Sequence, residues 1–190
     1  MTAVVVTGEI GAGKSTVSQL LAVRGADVVS ADGLVSELYD HSQAMRDELA
    51  ELLGADVVRD GKVNRSILTE KLFASESIRK SVESIVHPKV HAALVQIRQA
   101  STAAVFVYDV PIVRQREAMF DYYVNVVADT DVRKQRLVAR GLSIRDAEQR
   151  ILVQSHDQGR LKDFDVIIEN SQTLTQLEAQ VDALWSKVNV

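Results

Sequence analysis

The chain has 190 residues, of which 46% are hydrophobic and 25% are charged, and its formal net charge is −4 at pH 7. This composition predicts one globular domain with a sizeable core and excludes a generally basic surface for nucleic acid or membrane lipid. The absence of cysteine excludes disulfides, thiolate catalysis and sulfur-ligated zinc. Because no apolar stretch reaches the length of a membrane span and no basic leader is present, we expect a cytoplasmic protein without membrane partners.

The chain opens with a buried strand that breaks into a glycine-rich turn. Residues 3–6 form an apolar, β-branched run that is typical of a fully buried strand. Residues 8–16 follow with the pattern G-x-x-x-x-G-K-[ST], and residues 14–23 continue as an amphipathic helix that ends before Gly25. A strand before the pattern and a helix after it are the context in which this motif binds nucleotide phosphates.

Each residue type in this turn suits a phosphate group. Glycines let the backbone curl so that successive N–H groups cradle phosphate oxygens, and the helix adds the positive end of its dipole. Lys14 is expected to reach the β- and γ-phosphates, and the Ser15 hydroxyl to ligate Mg²⁺. The alternative is a glycine-rich turn that binds nothing. The expected nucleotide-binding residues are Gly8, Ile10, Gly11, Ala12, Gly13, Lys14, Ser15 and Thr16.

Helices and short apolar strands then alternate along the chain. Residues 27–30 form a second strand, and apolar spacing predicts a helix over residues 34–53 with a break at His41-Ser42. Asp60-Gly61 indicates a turn, and Asn64 is placed to cap the helix that follows it.

The second half of the chain continues the alternation. A further helix is predicted to end near Pro88, where the proline starts the next helix as a first-turn residue. Three more short strands and a closing helix are predicted over residues 103–109, 122–128, 165–168 and 174–188, respectively. Strands separated in this way predict an α/β fold with a five-stranded parallel sheet and helices on both faces. Because ligands of such sheets bind at the carboxyl ends of the strands, the residues after each strand are the candidates for a site.

Two carboxylates follow predicted strands. Asp32 comes after the second strand, where an acceptor hydroxyl would lie beside the γ-phosphate, and its alternative role is to cap a helix that starts at Leu34. Asp109 ends the third strand, which is where phosphate-transfer sites place the acid that holds Mg²⁺ directly or through water. Its alternative is a surface turn before Pro111. We therefore expect Ser15 and Asp109 to be the Mg²⁺ ligands.

A basic segment follows the fourth strand in a chain that is acidic overall. Its cationic residues, six within eighteen positions, are Arg133, Lys134, Arg136, Arg140, Arg145 and Arg150. With Ser143 capping a second helix, the segment predicts a helix-loop-helix lid whose arginines neutralise charge as a phosphoryl group moves. A solvated, salt-bridged helix face is the alternative. Gln154 and Arg160 lie where this segment returns, and the loop with Asn170 after the fifth strand is expected to seat the nucleotide base.

Together these residues resemble the dephospho-coenzyme A kinase family over nearly the whole chain. The family's opening T-G-x-I-G-x-G-K-S-T is matched by residues 7–16, and its L-G-A-x-V-I-D-A-D segment by residues 24–32. Further similar segments are residues 60–65, Phe73, residues 85–88, the D-V-P turn at residues 109–111, and residues 147–154 and 165–170.

The resemblance implies a three-layer P-loop kinase fold related to the nucleoside monophosphate kinases. Residues 1–32, 101–132 and 161–190 would form a core that binds ATP and Mg²⁺. Residues 33–100 would form a helical region that receives dephospho-coenzyme A, and residues 133–160 would form the lid. We expect a monomer or a weak homo-oligomer whose partners are its small-molecule substrates.

The resemblance also implies the final step of coenzyme A biosynthesis. An ATP-dependent phosphotransferase would move the γ-phosphoryl group to the ribose 3′-hydroxyl of dephospho-coenzyme A, an alcohol acceptor. The implied catalytic residues are Lys14, which offsets charge on the β- and γ-oxygens, Asp32, which orients the hydroxyl and accepts its proton, and Arg140 of the lid. A loose transition state needs this positioning and charge neutralisation more than covalent help.

Three residues depart from the family's pattern. Glu9 stands where the family commonly has glycine, Ser30 replaces the first acid of D-A-D, and Gln115 replaces the acid that ends P-L-L-x-E. A Glu9 side chain that points outward costs little, whereas one that points inward would weaken ATP binding. Two alternatives stay open: a kinase of the same architecture with another small-molecule acceptor, and a degenerate ATP-binding regulatory protein.

Overall fold

The computed structural model describes residues 1–155 and 161–189. The first half contains β1 (Thr2–Gly8), α1 (Lys14–Val23), β2 (Asp27–Ser30), α2 (Ala31–His41), α3 (Gln43–Leu53), a 3-10 turn (Ala55–Val57), β3 (Val58–Arg59), β4 (Lys62–Val63), α4 (Arg65–Ala74) and α5 (Glu76–Ala100). The second half contains β5 (Val105–Asp109), β6 (Tyr122–Val127), α6 (Thr130–Ala139), α7 (Ile144–Ser155), β7 (Val166–Glu169) and α8 (Leu174–Val188). The chain divides into two compact units, Met1–Ser30 with Ser101–Val190, and Ala31–Ala100.

The first unit is built on a five-stranded parallel sheet in the order β2-β5-β1-β6-β7. Val6 of the central strand β1 is in register with Asp109 of β5, and Asp109 is in register with Ser30 of β2. The strands are rich in valine because a parallel strand is buried on both of its faces, where β-branched side chains pack well. The predicted five-stranded parallel sheet with helices on both faces is confirmed.

One face of the sheet packs against α1 and α8. The sheet contributes alternate residues along each strand, as a period of two requires: Val4, Val6, Val105, Val107, Val124, Val126 and Ile168. The helices contribute Val17, Leu21, Leu177, Val181, Leu184 and Val188. Because this core holds β1 and α1 together, it also fixes both ends of the loop that connects them.

The opposite face of the sheet carries an aromatic and charged cluster around β6. The rings of Tyr108 and Phe120 stack at 5.8 Å, and Phe120 meets Tyr123 edge-on at 6.2 Å. The Arg116 guanidinium lies 4.7 Å from the centre of the Tyr123 ring and donates to Asp165 at 3.0 Å. Asp165 also accepts the backbone N–H of Tyr123 at 2.7 Å. The cluster therefore ties the segment before β6 to the segment before β7.

The second unit consists of helices arranged around α5. A stripe of residues four apart along α5 is buried: Val82, Val86, Val90 and Leu94. This helix contacts α2, α3 and α4. Lys89 pairs with Glu48 at 2.7 Å, which ties α5 to α3, and Arg65 pairs with Asp40 at 3.1 Å, which ties α4 to α2.

The prediction that a helix ends near Pro88 is wrong. Pro88 lies inside the 25 residues of α5. Its ring removes one backbone hydrogen bond, but the buried stripe of valines continues on both sides and keeps the helix intact. The predicted break at His41-Ser42 is confirmed, since Ser42 caps α3 by accepting the Met45 N–H at 3.2 Å.

The hairpin β3–β4 is not found by sequence reasoning, because its strands are too short to show an alternating pattern. Its turn is confirmed, and Asp60 there has a φ of 52°, as the tight turns of two-residue hairpins require. Two predicted caps are also confirmed: Asn64 accepts the Ile67 N–H at 3.3 Å, and Ser143 accepts the Asp146 N–H at 3.1 Å. Within residues 1–155 and 161–189, no helix is long and apolar enough to cross a membrane.

The cluster around β6 can be tested through pH. The hydrogen bond from Arg116 holds the pKa of Asp165 below its usual value because it favours the carboxylate. Such a group stabilises the fold above its unfolded pKa of about 3.9, and this stabilisation is lost as pH falls through the lower folded pKa. We expect Asp165→Asn to lower the free energy of unfolding at about pH 7, with a deficit that shrinks below about pH 4, in urea denaturation followed by circular dichroism.

Asp163→Asn is the matched control. It removes a carboxylate two positions away, and Arg116 contacts Asp163 through its backbone carbonyl. We expect this variant to unfold close to the unsubstituted protein. An Asp165→Asn deficit that stays constant down to about pH 3 would contradict the role of the ionised carboxylate.

Candidate functional site

The loop between β1 and α1 lies where the central strand of the sheet ends. Gly11 and Gly13 have φ of 80° and 95°, a conformation that side chains with a Cβ rarely adopt. The Ala12 N–H closes a turn by donating to the Glu9 carbonyl at 3.0 Å, and Ala12 is fully buried. Since α1 begins at Lys14, the N-terminal amides of the helix face this loop. The backbone thus has the curl and the partial positive charge that an anion needs.

Asn170 holds the end of this loop. From the segment after β7, its side-chain amide donates to the Ala12 carbonyl at 2.7 Å, and the residue is 6% exposed. A Cβ on residue 13 would collide with this amide, so glycine is required at Gly13 by a neighbour as well as by its φ. The side chain of Asn170 therefore acts on the loop backbone, and its contact with a nucleotide base stays a prediction.

A buried ion pair joins the start of α1 to the end of β5. The Lys14 ammonium pairs with the Asp109 carboxylate, which also accepts the Ser18 hydroxyl at 2.8 Å. Asp109 is only 5% exposed, and a buried carboxylate needs such partners. Asp109 is thus not a surface turn residue, and that alternative is wrong.

The oxygen groups at this pair suit a magnesium ion. Ser15, with an exposed side chain, is the second residue of α1, and Asp109 supplies a carboxylate. Hydroxyl and carboxylate oxygens are hard donors, and Mg²⁺ usually keeps several ligands as water and nucleotide phosphate. In the described part of the chain, no group of three or more His, Asp or Glu side chains could hold a metal by itself. The donor set fits an ion carried with a nucleotide.

Arg133 of α6 reaches the same loop. Its guanidinium pairs with the Glu9 carboxylate and donates Nε–H to the Ile10 carbonyl at 2.9 Å. Arg133 is only 5% exposed, and an arginine is rarely buried to this extent unless its charge is paired. The Glu9 side chain is therefore held against α6.

Arg136 lies one helical turn further along and holds the next part of the loop. It donates to the carbonyls of Gly11 and Ala12 at 3.3 and 3.2 Å, and to the Asn170 carbonyl at 2.8 Å. Sequence reasoning grouped these arginines without separating them. Their spacing was the available signal, because residues three apart share one face of a helix.

Lys134 faces away from the loop. It pairs with Asp131 at 3.5 Å and with Glu148 of α7 at 3.4 Å. Arg145 and Arg150 are exposed. The helices therefore have a salt-bridged face and a face directed at the loop, and a role of these arginines towards a phosphoryl group stays a prediction.

The helix α7 contacts the loop through Gln154. Its side-chain oxygen accepts the Ile10 N–H at 2.7 Å. Ile10 also packs against a small core between the two helices, formed by Leu137, Ala147 and Ile151. The pair α6–α7 thus holds the loop by polar and apolar contacts, and Arg160 lies outside the described residues.

Two clefts open at opposite ends of the loop, both within the first unit. A cleft of about 360 Å³, here called the nucleotide-side cleft, is bordered by Gly13, Thr16, Arg136, Arg140, Asn170 and Gln172, among others. A cleft of about 420 Å³, here called the β1 cleft, is bordered by Gly8, Glu9, Ile112, Val113, Lys162 and Phe164, among others. The loop therefore offers a separate space on each side of any phosphate chain that it binds.

Asp32 belongs to the second unit, as the second residue of α2. Because α2 begins at Ala31, Asp32 lies inside the first helical turn, and the alternative that it caps a helix starting at Leu34 is wrong. An acid in the first turn is favoured by the helix dipole, and this side chain is exposed. In sequence, one residue separates Asp32 from Ser30, the register partner of Asp109.

Comparisons with known proteins agree on one family. The family model described as Dephospho-CoA kinase matches residues 2–176. A dephospho-CoA kinase from Corynebacterium jeikeium is 36% identical over 185 residues, which cover 94% of this chain and 95% of that protein. A crystal structure from Thermus thermophilus matches with a TM-score of 0.82 and 27% identity, over 98% of this chain and 97% of that one. A dephospho-CoA kinase structure from Campylobacter jejuni shares the fold, with a TM-score of 0.70 and 23% identity over 98% and 96% of the two chains.

The hold of Asn170 on the loop can be tested by Asn170→Asp. The substitution keeps the size of the side chain, removes the N–H that the Ala12 carbonyl accepts, and adds a negative charge beside an anion site. We expect the free energy of unfolding to fall by about 1 to 3 kcal/mol. We also expect ATP binding to weaken at least about tenfold, as measured by isothermal titration calorimetry.

Asn64→Asp makes the same chemical change where a carboxylate can still accept the Ile67 N–H. We expect this control to leave ATP affinity unchanged. If Asn170→Asp matched the control in both unfolding free energy and ATP affinity, the role of Asn170 in holding the loop would be wrong.

Proposed function

The chain belongs to the dephospho-CoA kinase family, and from this premise we propose that it transfers the γ-phosphoryl group of ATP to the ribose 3′-hydroxyl of dephospho-coenzyme A. This reaction is the last step of coenzyme A biosynthesis. One observation carries the proposal. The phosphate loop ends in Lys14, whose ammonium meets the buried carboxylate of Asp109 at the carboxyl edge of the sheet.

We assign the triphosphate of ATP to the loop of residues 8–16. Its backbone N–H groups and the N-terminus of α1 attract anions. Lys14 would shift from its pairing with Asp109 towards the β- and γ-oxygens, where its charge is needed as the phosphoryl group leaves. Adenosine would occupy the nucleotide-side cleft, which Thr16, Arg140 and Asn170 border.

We assign the magnesium ion to Ser15 and Asp109, whose hydroxyl and carboxylate oxygens match its preference for hard donors. An ion held there would supply positive charge that offsets the charge of the nucleotide phosphates. The Ser18 hydroxyl would keep the Asp109 carboxylate oriented, since it already donates to one of its oxygens at 2.8 Å.

We assign the acceptor hydroxyl to Asp32. Its carboxylate would accept the proton of the 3′-hydroxyl while that oxygen forms a bond to the γ-phosphorus and the bond to the bridging oxygen of ADP breaks. The position of Asp32, two residues beyond a strand end that is in register with Asp109, supports this role.

The remaining parts complete the assignment. The helical region of residues 33–100 would hold the acceptor. The pair α6–α7 would form the lid. Arg140, exposed at the end of α6, borders the nucleotide-side cleft and would offset phosphate charge from there.

We further propose a cytoplasmic enzyme that is a monomer or a weak homo-oligomer.

Mass spectrometry of dephospho-coenzyme A after incubation with protein, Mg²⁺ and ATP tests this function. We expect a gain of one phosphoryl group on the acceptor. Lys14→Ala should lower kcat at least about a thousandfold because it removes charge that the transition state needs. Asp32→Asn should lower kcat at least about a hundredfold and leave ATP affinity nearly unchanged, because it removes the proton acceptor alone.

Glu37→Gln, an equivalent loss of charge on α2 at an exposed position, is the control for Asp32→Asn and should retain turnover. ATP binding without acceptor phosphorylation would rule out dephospho-coenzyme A as the substrate. Full turnover by Asp32→Asn would instead remove Asp32 from the reaction.

The metal assignment predicts a change in magnesium dependence. We expect a chelator to abolish turnover, and Asp109→Asn to raise the Mg²⁺ concentration for half-maximal rate at least about tenfold, because a neutral amide binds the ion more weakly. Asp56→Asn breaks an exposed Asp–Lys pair instead, with Lys71 at 3.1 Å, and should leave this concentration unchanged. An identical magnesium titration for Asp109→Asn would contradict the assignment.

A further inference from the structure

We propose that Arg133 is a positioning residue of the phosphate loop, and that Glu9 and Arg133 act as a neutralised pair that keeps the loop attractive to ATP. The proposal rests on the proposed function only in that the loop binds ATP. It is independent of the identity of the acceptor.

The pair answers an electrostatic problem in the loop. Glu9 lies directly after Gly8, inside the segment whose backbone amides are offered to phosphates. One uncompensated carboxylate within a few ångströms of a triphosphate weakens binding by about tenfold or more. Glu9 is therefore tolerable in this loop only if its charge is offset or turned away.

Arg133 offsets that charge. Its guanidinium pairs with the Glu9 carboxylate; Arg133 is 5% exposed, whereas the Glu9 side chain is 34% exposed, so the arginine side of the contact is the buried one. Burying a guanidinium is costly without a charged partner, which Glu9 supplies. Glu9 thus offsets the cost of burying Arg133, and Arg133 offsets the negative charge of Glu9. Together the two side chains add no net charge to the loop.

Arg133 also sets the direction of a loop peptide. Its Nε–H holds the Ile10 carbonyl at 2.9 Å. Because the C=O and N–H of a trans peptide point in opposite directions, this contact turns the Gly11 N–H away from Arg133 and offers it to a phosphate oxygen.

The backbone of α6 reinforces this arrangement. A Cβ on Gly11 would lie 2.9 Å from the Arg133 carbonyl oxygen and 3.1 Å from its Cα, so helix and loop are in direct contact at this point. Arg133 acts on ATP through the loop and is a positioning residue, not a catalytic one. Its loss should raise the Kd for ATP through two effects: Glu9 loses its arginine partner, and the Ile10 peptide loses a constraint.

A double-mutant cycle separates the charge effect from a merely structural one. Isothermal titration calorimetry with ATP and Mg²⁺, without any acceptor, gives the Kd for each protein. We expect Arg133→Gln to bind ATP about tenfold more weakly. Glu9→Gln should bind about threefold more tightly, because Arg133 then adds positive charge. The double variant should recover most of the affinity lost in Arg133→Gln.

Two further variants complete the design. Lys134→Gln removes one positive charge from the same helix, where the partners are Asp131 and Glu148, and should leave the Kd unchanged. Arg133→Lys keeps the positive charge but lacks the planar guanidinium, so we expect the affinity for ATP to fall about threefold. This variant still tests the proposal if Arg133→Gln does not fold.

Rescue in the double variant supports the proposal. Equal weakening in Arg133→Gln and the double variant would overturn the neutralising role of the pair. Arg133→Gln and Arg133→Lys affinities that match Lys134→Gln would overturn the positioning role. Because ATP binding is read directly, failure of acceptor phosphorylation would leave these results interpretable.

Discussion

The site depends first on the buried pair between Lys14 and Asp109. A carboxylate that is 5% exposed is stable only beside a positive charge or hydrogen-bond donors, and here the donors come from the first turns of α1. The pair therefore fixes the start of the helix to the end of β5. Because β5 lies beside β1, whose last residue opens the loop, the pair adds an electrostatic constraint to the one that the apolar core places on the two ends of the loop.

The loop between those ends is held from outside through its carbonyl oxygens. Arg133 binds the Ile10 carbonyl, Arg136 binds those of Gly11 and Ala12, and Asn170 also binds that of Ala12. Donors behind the Ile10 and Ala12 carbonyls leave the Gly11 and Gly13 N–H groups on the inner side, since a peptide directs its two polar groups oppositely. An anion site built from backbone thus needs cationic and amide side chains behind it, and these come from α6 and the segment after β7.

Structural features that depend on neighbouring residues could be predicted from the sequence, whereas features that depend on long-range contacts could not. The strand-loop-helix motif, the five strands and the caps at Asn64 and Ser143 follow from neighbouring residues, where periodicity and capping chemistry act. The prediction that a helix ends near Pro88 was wrong because tertiary packing along α5 outweighed the local helix-breaking effect of proline. The different contacts of Arg133, Arg136 and Lys134 could not be predicted, because helical spacing shows which residues share a face but not what that face packs against.

Glu9 illustrates why a departure from a family pattern has to be read with its spatial neighbours. Considered alone, a carboxylate in a phosphate loop predicts weaker ATP binding. Its partner Arg133 is 124 positions away in sequence, so no local pattern connects them. Once the ion pair is known, the same carboxylate becomes the reason that an arginine can be buried at the base of α6, where it also orients the Ile10 peptide. In the sequence alone Glu9 is an unfavourable departure from the family pattern, but in the structure it is part of the set of contacts that supports the loop.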